Sequence, residues 1–362
     1  MSSPRPAPVV RGEFLLCGCQ PGAEGAIQGR RDAVLPGASQ AAWRRGVVTF
    51  RLPAGVEPGD DVAAGLVFAR CAMRSLGQVA GDSLVELATK ARDLAGPAPW
   101  TAVHAWPRDP RAGLPVAEAT AAVATACGIE QPAGGVAAVG GLVLDCVLDS
   151  ERRWWVGWHR PHAAWSRWPG GFYPGALPAG KVSRAWLKLD EAIASFGLPL
   201  SAGERAIELG AAPGGACQRL LEAGLDVVGV DAALVDRGVA AHPRFTQWRM
   251  RARDVPLRRF QGCDWLLTDM NIDPRSTMEA LGRVATAPGV RLRGIVATLK
   301  LPDWSRAGEV SEWLDAFRDW GYEPIARQLS TGGREVCVVA LRAERCGRIS
   351  RSSRAATRRP AG

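Results

Sequence analysis

Lysine is scarce in this sequence of 362 residues. Only four lysines are present, so 41 of the 45 basic residues are arginine. An arginine side chain keeps its charge at any usable pH, whereas a lysine ammonium group can be made to lose its proton by its surroundings. A lysine retained in such a chain is a candidate for proton chemistry. Lys300, at the end of the apolar run 294–299, is the clearest case.

Transmembrane segments and metal-ligand patterns are also missing. No apolar run approaches the ~20 residues that a transmembrane helix needs, and the apolar run near the N-terminus is too short for a signal peptide. The nine cysteines and four histidines lack the paired spacing of a zinc site. Unpaired cysteines are typical of a reducing compartment. The sequence therefore predicts a cytoplasmic protein with no metal site and no membrane association.

The net charge of +9 favours a polyanionic partner such as nucleic acid. The segment 343–362 carries six arginines and one glutamate, a net charge of +5, so about half of the excess lies there. We expect 343–362 to be a basic disordered tail and the Pro-rich segment 1–12 to be flexible. The length of the chain predicts two domains between these ends.

The first predicted domain, 13–167, mixes helix and strand patterns. Strands are predicted at 13–19 and 46–52, helices at 82–96 and 115–129, and a pair of strands at 140–149 and 152–160. No phosphate-binding loop is present in this α+β region. The Pro/Gly-rich stretch 168–180 is predicted to be a linker to the second domain.

The second predicted domain, 181–342, alternates strands and helices. A helix is expected at 183–196 with Ser183 as its N-cap, and another at 306–320, ended by Gly321. The final runs, on either side of 330–333, predict a hairpin. This alternation is typical of a doubly wound α/β sheet, here with an antiparallel last strand. Strands are expected at 206–209, 226–230, 246–250, 264–268 and 294–299.

A glycine-rich loop follows the first strand of this second domain. Gly210, Gly214 and Gly215 lie where a backbone can approach a ligand closely at a helix N-terminus. Asp231, 21 residues after Gly210, ends the next strand, where an acid can bind ribose hydroxyls. The glycine spacing differs from the dinucleotide pattern of a nicotinamide oxidoreductase, and Pro213 lacks a backbone donor. An adenosyl ligand without pyrophosphate, S-adenosylmethionine, is therefore favoured.

Charged residues follow the other strands of the same sheet. Asp254 comes after the third strand, within expected reach of an adenine edge, and Asp269 and Lys300 follow the next two directly. Ligands of open parallel sheets bind beyond the carboxyl ends of the strands. An antiparallel last strand begins at this edge, which places Glu335 there as well. Solvated loop charges are the alternative interpretation for each of them.

Six segments in this order resemble the FtsJ-type RNA ribose 2′-O-methyltransferases: SRAWLKLDE, ELGAAPGG, GVD, TDM, LKLP and REVCVVAL. The resemblance covers 181–342 and implies a Rossmann-like S-adenosylmethionine-dependent methyltransferase domain. It implies a catalytic tetrad of Lys188, Asp269, Lys300 and Glu335. The residues assigned to cofactor binding are Ser183, Gly210, Ala212, Pro213, Gly214, Gly215, Asp231, Asp254 and Asp269.

The first half is most similar to the RlmM branch of that family, on the segments EFLLCGCQPGAEG, LVFAR and VGWHRPHAAWSRWPGGF. This resemblance implies a THUMP-like RNA-binding region at 13–167 and methylation of a cytidine ribose in bacterial 23S rRNA. Methylation of tRNA or another RNA, and a non-catalytic ribosome assembly factor, are alternatives. DNA is not an expected partner. The oligomeric state is open, with a monomer favoured.

Two further expectations concern individual side chains. Lys300 is expected to act as a general base, with its pKa lowered by burial or by the cation of Lys188. Five tryptophans alternate with arginines at 152–168, a composition that suits either RNA stacking or a packed core. We expect RNA contact for Trp165 and Trp168 and leave both alternatives open for Trp154 and Trp158.

Overall fold

The computed structural model describes residues 13–343. The segment predicted to be flexible, 1–12, and the predicted basic tail from residue 344 onward lie outside the described residues. Within the described range, no helix is both long enough and apolar enough to cross a membrane.

The first half folds around a seven-stranded sheet in which only the β5–β6 pair is parallel. Its strand order is β2-β3-β1-β4-β7-β6-β5. All of the strands and helices predicted for this half are present, and β2, β4, β5 and the short helices α1, α2 and α3 are additional. The elements are β1 (Phe14–Cys19), α1 (Glu24–Gln28), α2 (Arg31–Val34), β2 (Ser39–Arg44), β3 (Val47–Arg51), α3 (Val62–Gly65), β4 (Ala69–Ala80), α4 (Leu84–Ala95), β5 (Trp100–Pro107), α5 (Val116–Cys127), β6 (Leu142–Ser150) and β7 (Arg153–His159).

Local chemistry explains where α4, one of the two longest helices of this half, begins. The Ser83 hydroxyl accepts the backbone N–H of Glu86 at 3.2 Å, and the Glu86 carboxylate accepts the N–H of Asp82 at 2.8 Å. This reciprocal capping satisfies two amides that have no partner within the helix. The helix α4 ends at Gly96, which has a positive φ of 65°.

The tryptophans of 152–168 belong to the core. All five, including Trp154 and Trp158, are less than 9% exposed. The guanidinium of Arg327 lies 3.7 Å from the ring centre of Trp165, and the ring of Trp168 contacts that of Tyr173. A buried ring cannot stack on a base, so the prediction that Trp165 and Trp168 contact RNA is wrong. An alternation of tryptophan and arginine does not distinguish RNA stacking from a packed core, because both residue types can also be accommodated by packing.

Three polar side chains lie together in the core of the first sheet. The nitrogen and carboxylate atoms of His104, Asp145 and His159 come within 4.8 Å of one another. Asp145 hydrogen-bonds to Nδ1 of His159, whose Nε2 lies 2.9 Å from the carbonyl oxygen of Ser166. Burial opposes the protonation of His159, but Asp145 outweighs it and raises the pKa of His159, while burial lowers the pKa of His104 to about 4. The spacing of these residues in the sequence did not predict this cluster.

The second half forms the predicted doubly wound sheet. Its strand order is β10-β9-β8-β11-β12-β14-β13, and β14 runs antiparallel to both of its neighbours, β12 and β13, whereas the other pairs are parallel. This topology is Rossmann-like, as predicted. The elements are α6 (Arg184–Phe196), β8 (Arg205–Leu209), α7 (Gly215–Glu222), β9 (Asp226–Val230), α8 (Arg237–Ala240), β10 (Phe245–Trp248), β11 (Trp265–Thr268), α9 (Pro274–Ala285), β12 (Gly294–Lys300), α10 (Val310–Asp319), β13 (Tyr322–Arg327) and β14 (Glu335–Arg342).

Two of the predicted boundaries in this half differ from the structure by more than one residue. The third strand of this sheet ends at Trp248 rather than 250, and α10 begins at Val310 because 304–309 forms a 3₁₀ turn. The Asp303 carboxylate accepts the backbone N–H of Ser305 and so starts that turn. Apolar periodicity cannot distinguish a 3₁₀ turn from the first turn of an α-helix, since the two differ little over a few residues.

The two halves share buried apolar residues. One continuous cluster includes Leu15 and Phe68 from the first half and Ile207, Leu299 and Val338 from the second. The start of the predicted linker 168–180 is also packed, since Gly170 and Gly171 are buried against the first sheet. Residues 176–180 are exposed. The two regions therefore pack against each other and are not separated by a free linker.

Candidate active site

Four charged side chains meet at one edge of the second sheet. Asp269 directly follows β11, Lys300 is the last residue of β12, and Glu335 is the first residue of β14. Lys300 and Glu335 are register partners in the antiparallel pair. Lys188 reaches the same place from α6. The parallel strands end at this edge and the antiparallel strand begins there, so the topology itself brings the three sheet residues together.

These four groups form a closed ring of ion pairs. The Nζ of Lys300 lies 2.6 Å from Oδ1 of Asp269 and 2.5 Å from Oε2 of Glu335. The Nζ of Lys188 lies 3.2 Å from Oδ2 of Asp269 and 2.8 Å from Oε1 of Glu335. Each carboxylate thus bridges both ammonium groups, and the two positive and two negative charges cancel. All four side chains are at most one-fifth exposed.

The electrostatics of the ring differ from the sequence expectation. Burial alone would lower the pKa of Lys300, but Asp269 and Glu335 outweigh it and raise that pKa to about 12. Burial would likewise raise the pKa of Glu335, but Lys188 and Lys300 lower it. The prediction that the pKa of Lys300 is lowered by burial or by Lys188 is therefore wrong, because two shared carboxylates lie between the ammonium groups. Lys300 is held here as an ammonium ion.

A cleft of about 890 Å³ opens beside the ring, at the ends of β8, β9 and β11. This volume lies in the range of small-molecule sites. Four of the residues predicted to bind cofactor line it: Gly210, Ala212, Asp231 and Asp269. The sequence analysis missed Met250, Met270 and Asn271, which also line it. They lie in loops after strands, and apolar loop residues carry no distinctive sequence signal.

The backbone of the cleft allows a ligand to approach it closely. Gly210 has a φ of 80°, and a Cβ atom there would lie 2.5 Å from Cγ of Met270. Only glycine combines that backbone conformation with that lack of space. The carboxylate of Asp231 is fixed at the end of β9, where it accepts the backbone N–H groups of Ala212 at 3.0 Å and Ala233 at 2.9 Å. Each carboxylate oxygen retains a lone pair that can accept a hydroxyl.

The other predicted cofactor residues do not line this cleft. Ser183 caps α6, and its hydroxyl accepts the N–H of Ala185 at 3.3 Å. A Cβ on Gly215 would lie 2.1 Å from that hydroxyl, so the glycine allows α6 and α7 to pack closely. Asp254 is more than half exposed and lies near Arg253. Pro213 and Gly214 complete the turn into α7.

A buried carboxyl group lies next to the glycine loop. Glu208, on β8, is 2% exposed and accepts a hydrogen bond from Sγ of Cys217 at 2.8 Å. Burial raises the pKa of Glu208 to about 8. The sequence analysis missed this residue, because a glutamate inside an apolar strand is not distinguishable by spacing from one that faces solvent.

Replacement of Asp231 by alanine is expected to weaken S-adenosylhomocysteine binding by about 1.5–3 kcal/mol, because a charged acceptor facing the cleft is lost. Isothermal titration calorimetry of the full chain measures this change. Asp226→Ala is the matched control, since Asp226 is exposed at the opposite end of the same strand. Equal affinities of the two variants would remove Asp231 from the site.

Comparison with known proteins adds an independent observation. Residues 181–291 match the model of the FtsJ-like methyltransferase family. Ribosomal RNA large subunit methyltransferase M of Halorhodospira halophila is 32% identical over 184 residues, which cover 48% of this chain and 51% of the relative. The protein of the same name from Azotobacter vinelandii is 33% identical over 163 residues, 42% of this chain and 44% of the relative. The chain thus spans about half the length of the curated relatives it matches.

The solved structure of TrmN from Thermus thermophilus covers 91% of this chain and 99% of its own length, at 17% identity and a TM-score of 0.34. A likeness at that level supports no conclusion about this chain. The matched residues include strands β8 to β11, the glycine loop, and Lys188 and Asp269 of the charged ring. Residues 181–291 therefore resemble the FtsJ-like methyltransferase family, in line with the resemblance found in the sequence.

Proposed function

We propose that this protein is an S-adenosylmethionine-dependent RNA ribose 2′-O-methyltransferase whose substrate is a cytidine of bacterial 23S rRNA. The observation that carries the proposal is the ring of two lysines and two carboxylates beside a cleft lined by the carboxylate of Asp231. The match to large-subunit rRNA methyltransferases supports the choice of RNA.

The residues of the cleft fit an adenosyl ligand. Gly210 leaves room for close contact with the backbone, and Asp231 presents acceptor oxygens to a pair of ribose hydroxyls. Met250 and Met270 offer apolar surface to a planar base. When bound in the cleft, S-adenosylmethionine would supply a methyl group on a positively charged sulfur, and a positive charge beside Lys300 disfavours its protonated form.

The ring has two tasks in this proposal. A ribose hydroxyl is a poor nucleophile at neutral pH, so a base must take its proton during attack. Lys300 can do this only as the neutral amine, and the covering of the site by RNA would help by removing water from an ammonium ion. Lys188, Asp269 and Glu335 hold the amine and the hydroxyl in line with the methyl group, and such positioning supplies a large part of enzymatic rate enhancement.

This assignment predicts a rate that rises steeply with pH. The carboxylates raise the pKa of Lys300 to about 12. As long as the pH lies below that value, each increase of one pH unit makes the neutral amine about tenfold more abundant. When cofactor and RNA are both far below saturation, the pH dependence of the rate reports the pKa values of the free enzyme. Initial rates should then rise about tenfold per unit, without a plateau below pH ~9.5. A plateau that begins near pH 7 would contradict the assignment of Lys300 as the base.

We also propose that the region 13–167 binds RNA in the manner of a THUMP-like domain, followed by the methyltransferase domain 181–342. Exposed arginines of this region, among them Arg44, Arg45, Arg152 and Arg153, support this proposal. The tryptophans of 152–168 do not, because they are buried. Contacts between arginine side chains and phosphates would make RNA affinity fall with increasing salt. The same chemistry on tRNA, and RNA binding without turnover, remain the competing functions.

One experiment separates these functions. Ribose methylation is mapped in total rRNA and tRNA from cells with and without the gene. Loss of a single cytidine 2′-O-methyl group in 23S rRNA is the expected result. Loss of a tRNA methyl group would move the substrate to tRNA. Unchanged methylation in both RNAs, together with no transfer of labelled methyl groups in vitro, would contradict an enzymatic role.

A further inference from the structure

The loop that precedes Glu335 is held by the other half of the chain. Residues 328–334 connect β13 to β14 and end directly at this member of the charged ring. Their backbone forms no ladder with a neighbouring strand. Glu335 is held on one side by its pairing with Lys300 in the β12–β14 ladder, and on the other side its position depends on what fixes this loop.

Residues of the first half supply several of the fixing contacts. The side-chain amide of Gln20, which directly follows β1, donates to the carbonyl oxygens of Leu329 at 2.9 Å and Gly332 at 3.0 Å. The backbone N–H of Gln328 donates to the carbonyl of Val67 at 2.9 Å. These hydrogen bonds join residues separated by more than 250 positions in the sequence. The catalytic edge of the second sheet is thus tied to the first sheet.

The turn that carries Gln20 is itself anchored. The buried carboxylate of Glu24 accepts the backbone N–H groups of Gly22 at 3.0 Å and Gly46 at 2.5 Å. Gly22 lies against the indole of Trp304, where a Cβ atom would come within 3.0 Å of Nε1. Trp304 belongs to the segment that follows Lys300. The turn therefore contacts the segment that follows Lys300 as well as the loop that precedes Glu335.

The opposite side of the loop is held by α6. The carboxylate of Glu191 is 1% exposed and accepts the N–H groups of Ser330 at 2.7 Å and Thr331 at 2.8 Å. Glu191 lies one helical turn after Lys188, on the same face of α6. The loop is thus clamped between the helix that carries Lys188 and the turn that carries Gln20.

We infer that Gln20 is a positioning residue for the active site, through which the N-terminal half holds the loop 328–334 and so the Glu335 carboxylate against Lys188 and Lys300. The inference rests on the proposed methyl transfer. Small displacements of reacting groups have large effects on rate, so loosening this loop should slow the reaction. Through this contact of Gln20, the first half has a role in turnover that is separate from RNA binding.

The test compares Gln20→Met with Gln40→Met in the full chain. Methionine keeps the length of glutamine and removes the amide donor, and Gln40 is exposed on β2 of the same sheet. We expect Gln20→Met to lower kcat by about 10- to 100-fold, with unchanged KM for RNA and unchanged Kd for S-adenosylhomocysteine. Backbone amides of 328–334 should exchange hydrogen faster in that variant. Gln40→Met should match the wild type in every measurement.

Two outcomes would overturn the inference. One is unchanged kcat with unchanged amide exchange, and the other is a raised KM for RNA at unchanged kcat, which would make Gln20 an RNA contact. If Gln20→Met does not fold, Gln20→Asn retains the amide but is one methylene too short to reach both carbonyls, and the same criteria apply. If the wild type itself transfers no methyl group to RNA, the proposed function fails, whereas the exchange measurement still decides whether Gln20 holds the loop.

Discussion

Replacement of Lys300 by arginine is expected to lower kcat by about 10²- to 10⁴-fold. Arginine retains the positive charge and can pair with both Asp269 and Glu335, so an electrostatic role would be largely preserved. A guanidinium group, however, stays protonated at any usable pH and cannot accept the hydroxyl proton. Cofactor affinity and Tm should change little, because the ring of ion pairs remains neutral overall. Single-turnover methyl transfer and calorimetry on the same preparation measure both properties.

Lys90→Arg is the matched control for this substitution. Lys90 lies on the exposed face of α4 and pairs with Glu86 at 2.7 Å, so the same chemical change is made far from the cleft. We expect that variant to retain full activity. Near-normal turnover of Lys300→Arg would show that the charge of Lys300 suffices, and the base would then have to be sought elsewhere.

Replacement of Asp269 by asparagine is expected to lower kcat by about 10²-fold or more. The asparagine side chain has the same shape, but it loses the charge that lies 2.6 Å from Lys300 and 3.2 Å from Lys188. Two partly buried ammonium groups would then share the single carboxylate of Glu335. We expect the free energy of unfolding to fall by about 1–3 kcal/mol and the reacting groups to lose their alignment. Chemical denaturation and single-turnover kinetics measure the two effects.

The same variant should move the pH dependence in a defined direction. Asp269 is the strongest of the contacts that raise the pKa of Lys300, so its removal should bring that pKa down. The rate of Asp269→Asn should therefore level off at a lower pH than the wild type, although its maximum is smaller. Asp319→Asn, at the exposed end of α10, serves as the control. An unshifted profile would indicate that Lys300 is not the group that titrates.

The positions of three ring residues could be predicted from the sequence. Asp269 and Lys300 directly follow apolar runs, and Glu335 begins the run after the final turn. Parallel strands all end at one edge of a sheet, and an antiparallel strand begins there, so strand order alone places these residues together. Lys188 could be added only through the family resemblance, because a lysine within an amphipathic helix has no distinguishing spacing.

The first half of the chain was predicted less completely. The helices α4 and α5 and four strands followed from periodicity and turn residues, but β2, β4, β5 and the short helices α1, α2 and α3 were not predicted. The long strand β4 contains polar and charged residues, among them Arg70 and Arg74, that are buried in the fold. Alternation of apolar and polar residues fails as a signal where buried arginines are paired with backbone carbonyls.

The sequence by itself determined the α/β architecture of the second half, the edge of the sheet at which the site lies, and the identity of the glycine loop and its spaced acid. Each of these depends on local periodicity or on the order of segments along the chain, and both can be read directly from the sequence. The tertiary structure alone decided that the tryptophans of 152–168 are buried, that the carboxylates raise the pKa of Lys300, and that Gln20 reaches the loop before Glu335. Those properties depend on distances and solvent exposure between segments far apart in sequence, and only the folded chain sets them.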